Sequence, residues 1–309
     1  MSVASEVDVT TPPAAAGPGP GRALAARAAG PVLLLPAVVA FALLFLYPLG
    51  RIVYVSLTEP AAGFGNYADV LGDGYTVRIV LRTIWVALLV TLIDLVMAFP
   101  FAYAMTITGP RVRAVLFTIV LIPFWTSAIA KNFAWLVLLQ SGGPVDRLLG
   151  VFGVHHPLIG TTQAVVVAMS QVLLPFAVLP LYARLDQIDR RLLDAAQGLG
   201  ATRAGSFRQV YLPLSVPGVA SAATLTFILS LGFYITPAML GSAQQTLIAQ
   251  LVMIRVQQVL DYPGADAIGI FLLLVTLAML LLSRLLSARA GGGGAPGGRD
   301  LVGRIGRDA

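Results

Sequence analysis

The sequence contains no cysteine, only two histidines and few charged residues. The absence of cysteine excludes disulfide bonds, thiolate metal ligands and cysteine nucleophiles. The histidines, His155 and His156, are adjacent, and such a pair without a third ligand rarely holds a metal ion, so no metal site is predicted. Charged residues make up 11% of the 309 residues, whereas soluble domains average about 25%. These deficits argue against a soluble enzyme.

Apolar residues, in contrast, are abundant. They make up 58% of the chain, and the mean hydropathy is +0.87. A soluble fold of this length has no room for so large an apolar core, so the expected solvent is a lipid bilayer. The formal net charge is +6, but the basic residues are nearly all arginines that lie between the apolar runs. We interpret them as loop residues at a membrane surface, and we predict no nucleic-acid partner.

Uncharged stretches long enough to cross a bilayer, which takes about 20 helical residues, recur along the chain. They predict an all-α membrane protein whose six transmembrane helices cover approximately 31–57, 80–105, 113–139, 162–184, 214–238 and 265–288. The uncharged run 209–254 is interrupted by Gly232, Pro237 and Gly241. We therefore predict one helix there, followed by a broken or re-entrant segment.

The ends of the chain differ in composition from the part between them. Residues 1–29 and 289–309 are rich in small residues and are predicted to be flexible tails, which leaves 30–288 as the transmembrane domain. With the N-terminus in the cytoplasm, 14 basic residues fall on the cytoplasmic side and 6 on the other. The positive-inside rule therefore predicts that both termini are cytoplasmic.

The segment between the fourth and fifth predicted spans, about 186–213, carries the most informative pattern. The residues on one face of a short amphipathic helix are Leu192, Ala196 and Leu199. Gly200 follows at the place of a left-handed helix cap. Thr202 is suited to cap a second short helix, which we expect to end at Pro213. The pattern predicts two small helices joined by a tight glycine turn, forming a rigid knob on the cytoplasmic side.

Seven residues of this segment follow a recognisable spacing. They are Asp194, Ala195, Ala196, Gly200, Val210, Leu212 and Pro213. The spacing resembles the EAA loop of ABC importer permeases, with Asp194 where that family usually has Glu. The departure shortens the carboxylate by one methylene and keeps its charge. The resemblance implies a cytoplasmic coupling helix that docks into a groove on a separate ATP-binding subunit, where a rigid element can transmit a rigid-body rotation.

Further motifs extend the similarity over roughly residues 31–288. They are Ile122-Pro123-Phe124-Trp125-Thr126-Ser127 with Lys131 and Ala134-Trp135 after it, Leu174-Pro175-Phe176, Gly232-Phe233-Tyr234 and Thr236-Pro237. These motifs resemble permeases of the spermidine/putrescine type. The resemblance implies the transmembrane domain of a type I ABC importer in the bacterial inner membrane, moving a small solute such as spermidine or putrescine.

The same resemblance implies the partners of the chain. They are a dimer of ATP-binding subunits, a second permease subunit and a soluble substrate-binding protein. The chain has no G-x-x-x-x-G-K-[ST] phosphate loop. We therefore expect that it binds no cofactor and is not an enzyme, and that ATP and Mg are used by the partner ATPase.

Four residues are candidates for lining the solute pathway, namely Asp94, Trp125, Phe233 and Tyr234. Aromatic rings can surround a cation, but near an interface they are more often core or membrane-belt residues. An acid in mid-span costs about 2.5–3.5 kcal/mol on insertion scales, so Asp94 is expected to face the bundle interior. It either contacts a cationic solute there or is satisfied by a hydroxyl or a proton, and we favour the second interpretation. Lys131 is expected to snorkel or to pair at the outer interface.

Two other classes of function are considered beside the importer. A self-sufficient secondary transporter or channel needs an internal ion site, for which Asp94 is the sole acid well inside a predicted span. A polytopic membrane enzyme needs a cluster of polar catalytic groups at one membrane face, and the sequence shows none. Spermidine, putrescine and other small solutes stay open as the cargo.

Overall fold

The computed structural model describes residues 35–153 and 156–291, and it describes side chains up to residue 285. The predicted tail 1–29, His155 and residues 292–309 lie outside the described residues. Within the described ranges the regular elements are all helices. This confirms the predicted all-α class.

The first part of the described chain contains helices α1 to α6. They are α1 Leu35–Thr58, α2 Gly65–Gly72, α3 Gly74–Ile107, α4 Pro110–Trp125, α5 Ala128–Leu139 and α6 Pro144–Val151. Among the described residues, those as far as Tyr54, which make up most of α1, form one compact unit, and those from Val55 onward form a second. Helix α3 begins where the Asp73 carboxylate accepts hydrogen bonds from the Tyr75 and Thr76 amides, at 3.0 and 3.1 Å.

The second part contains helices α7 to α12. They are α7 Thr162–Leu185, α8 Arg191–Gly198, α9 Arg203–Leu231, α10 Ile235–Leu240, α11 Ile248–Ile254 and α12 Tyr262–Gly291. Helix α9 contains a π-helical turn at Phe207–Tyr211, and a second π-helical turn, Arg255–Val259, follows α11. Short broken elements thus fill the interval between α9 and α12, as the glycines and proline of this run predict.

Five of these helices are long and apolar enough to cross a membrane, namely α1, α3, α7, α9 and α12. Helix α4 and the segment Ala128–Val151 pass the same test as a pair, but they are bent by 98° at their junction. The described part of the chain therefore agrees with six spans when the bent pair is counted as one.

The prediction of a continuous third span over 113–139 is wrong. The helix stops at Trp125 and restarts at Ala128. Pro123 lacks an N–H, so it weakens the last turn of α4. The Lys131 ammonium donates a hydrogen bond to the Pro123 carbonyl at 2.8 Å, which satisfies an acceptor that the broken helix leaves free. Lys131 therefore reaches back across the break, a contact that the sequence analysis did not predict.

The prediction that the fifth span covers 214–238 is also wrong at both ends. The helix begins at Arg203 and ends at Leu231, where Gly232 follows. Pro213 does not end a separate short helix, because the helix continues through the π-helical turn and beyond this proline. In that turn the Leu212 amide donates to the Phe207 carbonyl, five residues back. The wider turn relieves the clash between a proline ring and the carbonyl four residues before it.

Helices α3, α7 and α9 pack against one another, and α12 packs against α9. Two buried apolar clusters lie among the first three helices, one around Val90 and Met169 and the other around Ala98, Ala177 and Ala222. Gly218 is required for the close approach of α9 to α7, because a Cβ at this position would lie 2.8 Å from the Arg184 Cβ. This packing fixes the position of α9, which carries the loop at one end.

Candidate functional site

Helix α8 is held on the membrane bundle by one side and exposed on the other. Leu193 packs against the apolar cluster around Ala177, although the sequence pattern did not single it out. Asp194 and Ala195 are exposed, and Ala196 is half-buried. Leu192 and Leu199 are 48% and 90% exposed. The apolar side chains of Leu192 and Leu199, on the predicted amphipathic face, are therefore not covered by other described residues of this chain.

The turn after α8 is the predicted glycine turn. Gly200 has φ +94°, a conformation that costs an L-residue free energy and glycine almost none. The Gly200 amide donates to the Gln197 carbonyl at 2.9 Å, and the Ala201 amide donates to the Ala196 carbonyl at 3.1 Å. This pair of bonds is a Schellman motif. It ties Ala196 and Gly200 of the predicted coupling motif into one rigid corner.

The chain leaves the corner through a capped helix start. The Thr202 hydroxyl accepts a hydrogen bond from the Gly205 amide at 3.1 Å, as the prediction of a threonine cap requires. The helix that follows is α9, which runs for 29 residues. At 1.5 Å per residue it is roughly 43 Å long. The corner is therefore joined directly to a membrane-spanning rod rather than to a second short helix.

A cluster of four aromatic rings fixes the first turns of α9 against α3. Tyr103 makes edge contacts with Phe207 and Tyr211, with ring centroids 5.6 and 5.3 Å apart, and Phe99 adds a further edge contact to Phe207. Sequence reasoning missed this cluster. The available signal was the pairing of aromatic residues four apart on each helix, which puts both members on one face.

The start of the loop is tied to the end of α3. The Arg190 guanidinium donates to the Thr106 carbonyl at 2.6 Å and to the Thr106 hydroxyl at 3.2 Å. Nearby, Arg113 donates to the Tyr182 hydroxyl at 3.2 Å and lies 3.9 Å from an Asp186 oxygen. These contacts explain how a mostly exposed loop keeps a defined position.

The seven residues of the coupling motif divide into two groups. Asp194, Ala195, Ala196 and Gly200 lie on α8 and its corner, and Val210, Leu212 and Pro213 lie within α9. Leu212 is 43% exposed, and Val210 is half-buried. The motif therefore describes the corner together with the beginning of the rod.

A cavity of about 350 Å³ lies where the two broken segments of the chain approach α7. From α5 it is lined by Ala128, Lys131 and Asn132, from α7 by Val172, and from the segment after α9 by Gly232, Phe233, Tyr234, Ile235 and Thr236. Gly232 directly follows the last residue of α9. The rod that begins at the loop therefore ends at this cavity.

Two buried oxygen atoms on residues that line the cavity have no hydrogen-bond partner among the described residues. They are Asn132 Oδ1 and Thr236 Oγ1, on side chains that are 2% and 0% exposed. The amide nitrogen of Asn132 donates to the Ala128 carbonyl at 2.8 Å, which leaves its oxygen as an acceptor. Unpartnered buried polar atoms are costly and indicate a ligand or water. Sequence reasoning quoted Thr236 in a motif but named neither residue as a pathway candidate, because they come together only in the fold.

The four candidate pathway residues are placed differently. Phe233 and Tyr234 line the cavity. Trp125 ends α4 at the break and is 90% exposed, and it does not line the cavity. Asp94 is 0% exposed on α3, and neither of its oxygens makes a hydrogen bond to a described residue. It faces the bundle interior as expected, with the Ser170 hydroxyl as its neighbour.

Residues 98–291 match the protein family described as binding-protein-dependent transport system inner membrane component. The chain belongs to this family. Its members are the permease subunits of ABC importers, which are not enzymes themselves and which work with ATPase and substrate-binding partners. The protein is thus a multi-pass inner-membrane permease for a small solute, in agreement with its apolar helices.

Several curated permeases are similar to this chain. The spermidine/putrescine transport system permease protein PotB of Salmonella typhimurium is 30% identical over 231 residues, which cover 72% of this chain and 80% of that protein. PotB of Escherichia coli K12 has the same identity and covers 72% and 84%. A probable molybdenum ABC transporter permease of Haloferax volcanii is 29% identical over 78% of this chain and 84% of that protein.

Solved structures agree in fold. A chain of the bacterial alginate ABC transporter, in complex with its alginate pentasaccharide-bound periplasmic protein, superposes with a TM-score of 0.72. It is 20% identical, and the match covers 89% of this chain and 99% of that chain. A chain of the inward-facing MetNI methionine ABC transporter superposes with a TM-score of 0.52 and 19% identity over 71% of this chain. Type I ABC importer permeases therefore share this fold.

Proposed function

We propose that this chain is one of two permease subunits of a polyamine importer, with spermidine or putrescine as the solute. The observation that carries the proposal is its similarity to PotB over most of both chains. A soluble binding protein delivers the solute, and a separate ATPase dimer binds ATP and Mg. The distribution of basic residues supports a cytoplasmic position for both termini by the positive-inside rule.

Energy coupling in this proposal runs through the corner between α8 and α9. The exposed residues of α8 and Leu199 form the surface on which the ATPase docks. Because the Schellman corner and the Thr202 cap leave little freedom between α8 and α9, a rotation of the docked ATPase moves α9 as a unit. Rigid-body movement of this kind is a common way of transmitting a conformational change. The other end of α9 lies at the cavity. Movement of this helix therefore changes the access of the solute to the cavity.

The cavity is the proposed solute-contact site. Asn132 Oδ1 and Thr236 Oγ1 are free to accept hydrogen bonds, and the ring of Tyr234 offers an aromatic face. Acceptors and aromatic rings suit an amine, which donates hydrogen bonds and carries positive charge. Lys131 opposes that charge, because the ammonium stays positive while it donates to the Pro123 carbonyl, and this weakens the binding of an amine. A site that holds its cargo weakly favours release, as transport requires.

The test is uptake of labelled spermidine, putrescine and molybdate by cells with and without this chain. We expect polyamine uptake that needs the chain, and molybdate uptake that does not. The variants Asn132→Leu and Thr236→Val remove the two acceptors and should raise the polyamine concentration needed for half-maximal uptake by several-fold. Thr118→Val is the matched control, because the Thr118 hydroxyl is exposed and bonded to the carbonyl of Ala114.

The outcomes separate the two parts of the proposal. Uptake of molybdate instead of polyamine would reject the solute class and leave the permease role intact. Polyamine uptake that is equal in the acceptor variants and in Thr118→Val would reject the cavity as the contact site.

A further inference from the structure

A groove between α9 and α12 lies apart from both the coupling corner and the solute cavity. It holds a cavity of about 410 Å³, lined by Ala220, Ser221 and Thr224 on α9 and by Leu280, Ser283 and Arg284 on α12, among others. A second cavity of about 160 Å³ shares Ala220, Thr224 and Ser283 and extends toward Phe227 and Met279. The two cavities therefore share part of their α9 and α12 walls.

The hydroxyl groups in the walls of this groove are not available to a ligand as donors. The hydroxyl of Ser221 donates to the Pro217 carbonyl, that of Thr224 to the Ala220 carbonyl, and that of Ser283 to the Leu280 carbonyl, at 2.9, 2.7 and 2.9 Å. Because each hydroxyl is bonded to its own helix, the groove offers hydrocarbon and methyl groups to whatever lies in it.

One charged group stands at the groove. Arg284 is exposed, and its guanidinium makes no hydrogen bond or ion pair with the residues for which side chains are described. It lies 22 residues after Tyr262, the first residue of α12, which corresponds to roughly 33 Å of helix. The hydrocarbon core of a bilayer is about 30 Å thick. If Tyr262 is at one interface, Arg284 is at the headgroup level of the other.

We propose that this groove binds an anionic phospholipid, with the phosphate at Arg284 and one acyl chain along α9 and α12. Charge complementarity favours the anionic headgroup, since basic groups beside apolar clefts between transmembrane helices recruit such lipids. A helix of another subunit is the alternative occupant, and the Ala220→Leu variant distinguishes it from a lipid.

The lipid joins two helices of which one, α9, also carries the coupling corner. Its acyl chain lies against the part of α9 that includes Ala220 and Thr224, which is between the corner and the solute cavity. We therefore expect a bound anionic lipid to fill the groove and to stabilise the packing of α9 against α12.

The experiment is native mass spectrometry of the full-length protein, purified with the subunits that accompany it, from nanodiscs containing phosphatidylglycerol and phosphatidylcholine in equal amounts. We expect retained phosphatidylglycerol to exceed retained phosphatidylcholine. Arg284→Gln should reduce this preference about 5-fold, because that is the effect of one basic side chain on the binding of an anionic surface. Arg111→Gln is the matched control, because Arg111 is an exposed arginine on α4 and does not line the groove.

A second variant tests the apolar part of the site independently of charge. Ala220→Leu narrows both cavities and should lower the number of retained lipids while the subunits stay together. Equal lipid preference in Arg284→Gln and Arg111→Gln would overturn the proposal. So would loss of a second permease subunit from Ala220→Leu with lipid retention unchanged, because the groove would then be a protein interface.

Discussion

Gly200 offers the sharpest test of the coupling corner, because substituting it changes the backbone without a steric clash. Its φ is +94°, and a Cβ built on it meets no atom within 4 Å. The cost of Gly200→Ala is therefore the cost of holding an L-residue in the left-handed region, about 1–2 kcal/mol. At 1.4 kcal/mol per factor of ten, the equilibrium constant that favours the native corner over its alternatives falls about 5- to 30-fold.

Gly198→Ala is the matched control. Gly198 is the last residue of α8, a Cβ on it also meets nothing within 4 Å, and its φ is not in the left-handed region. Alanine is the better helix former, so this variant should keep or slightly improve the corner. Gly200→Asn should fall between the two, because asparagine tolerates left-handed φ better than alanine.

The assay is solute-stimulated ATP hydrolysis by the reconstituted importer, measured against the concentration of added ATPase subunit. Gly200→Ala should need more ATPase subunit for half-maximal activity, by at most about 30-fold, with normal membrane insertion. If Gly200→Ala and Gly198→Ala give the same curve, the left-handed corner has no part in coupling and the argument from Gly200 fails.

Three further predictions concern the membrane part. Lys131→Met removes the hydrogen bond to Pro123 and should lower thermal stability by several degrees, since hydrogen bonds to charged groups contribute about 1.5–3 kcal/mol; Lys131→Arg should restore most of it, and equal melting temperatures for both variants would contradict this role. Gly218→Ala brings a Cβ to 2.8 Å from Arg184 and should destabilise by about 1–3 kcal/mol, measured as a lower denaturation midpoint; an unchanged midpoint would show that the helices adjust freely. Asp94→Asn should change solute uptake less than 2-fold, because the carboxyl is enclosed and outside the cavity; complete loss of uptake in a normally assembled protein would assign Asp94 to the pathway.

Local signals in the sequence were sufficient for the coupling corner. Gly200 and Thr202 act on backbone groups within a few residues of themselves, so the spacing predicts the Schellman turn and the helix cap. The approximate positions of the first, second, fourth and sixth spans were also predictable, because a span takes about 20 apolar residues. The family could also be predicted from the seven-residue motif. All seven residues lie in the corner and at the start of α9, so they are close together in the sequence and their spacing is directly visible.

Features that depend on packing were not predictable in this way. Pro100 lies inside the continuous helix α3, whereas Pro123 stands next to a break. At the break the Lys131 ammonium donates to the Pro123 carbonyl, and the fold sets the position of that side chain. The π-helical turn at Phe207–Tyr211 packs against Tyr103, which belongs to another helix. The cavity joins Asn132 and Thr236, more than a hundred residues apart, and no spacing rule connects them.

The break between α4 and α5 has an electrical consequence. Non-helical backbone at membrane depth occurs where it is covered by protein or reached by water, and Lys131 covers only the Pro123 carbonyl. We expect water to reach Thr126, and the dry path along α4 is then roughly 24 Å, since the helix has 16 residues. The membrane voltage then falls over less than the full bilayer thickness, so the local field is steeper there, and a charge that crosses this stretch gains about 2.3 kcal/mol for each 100 mV.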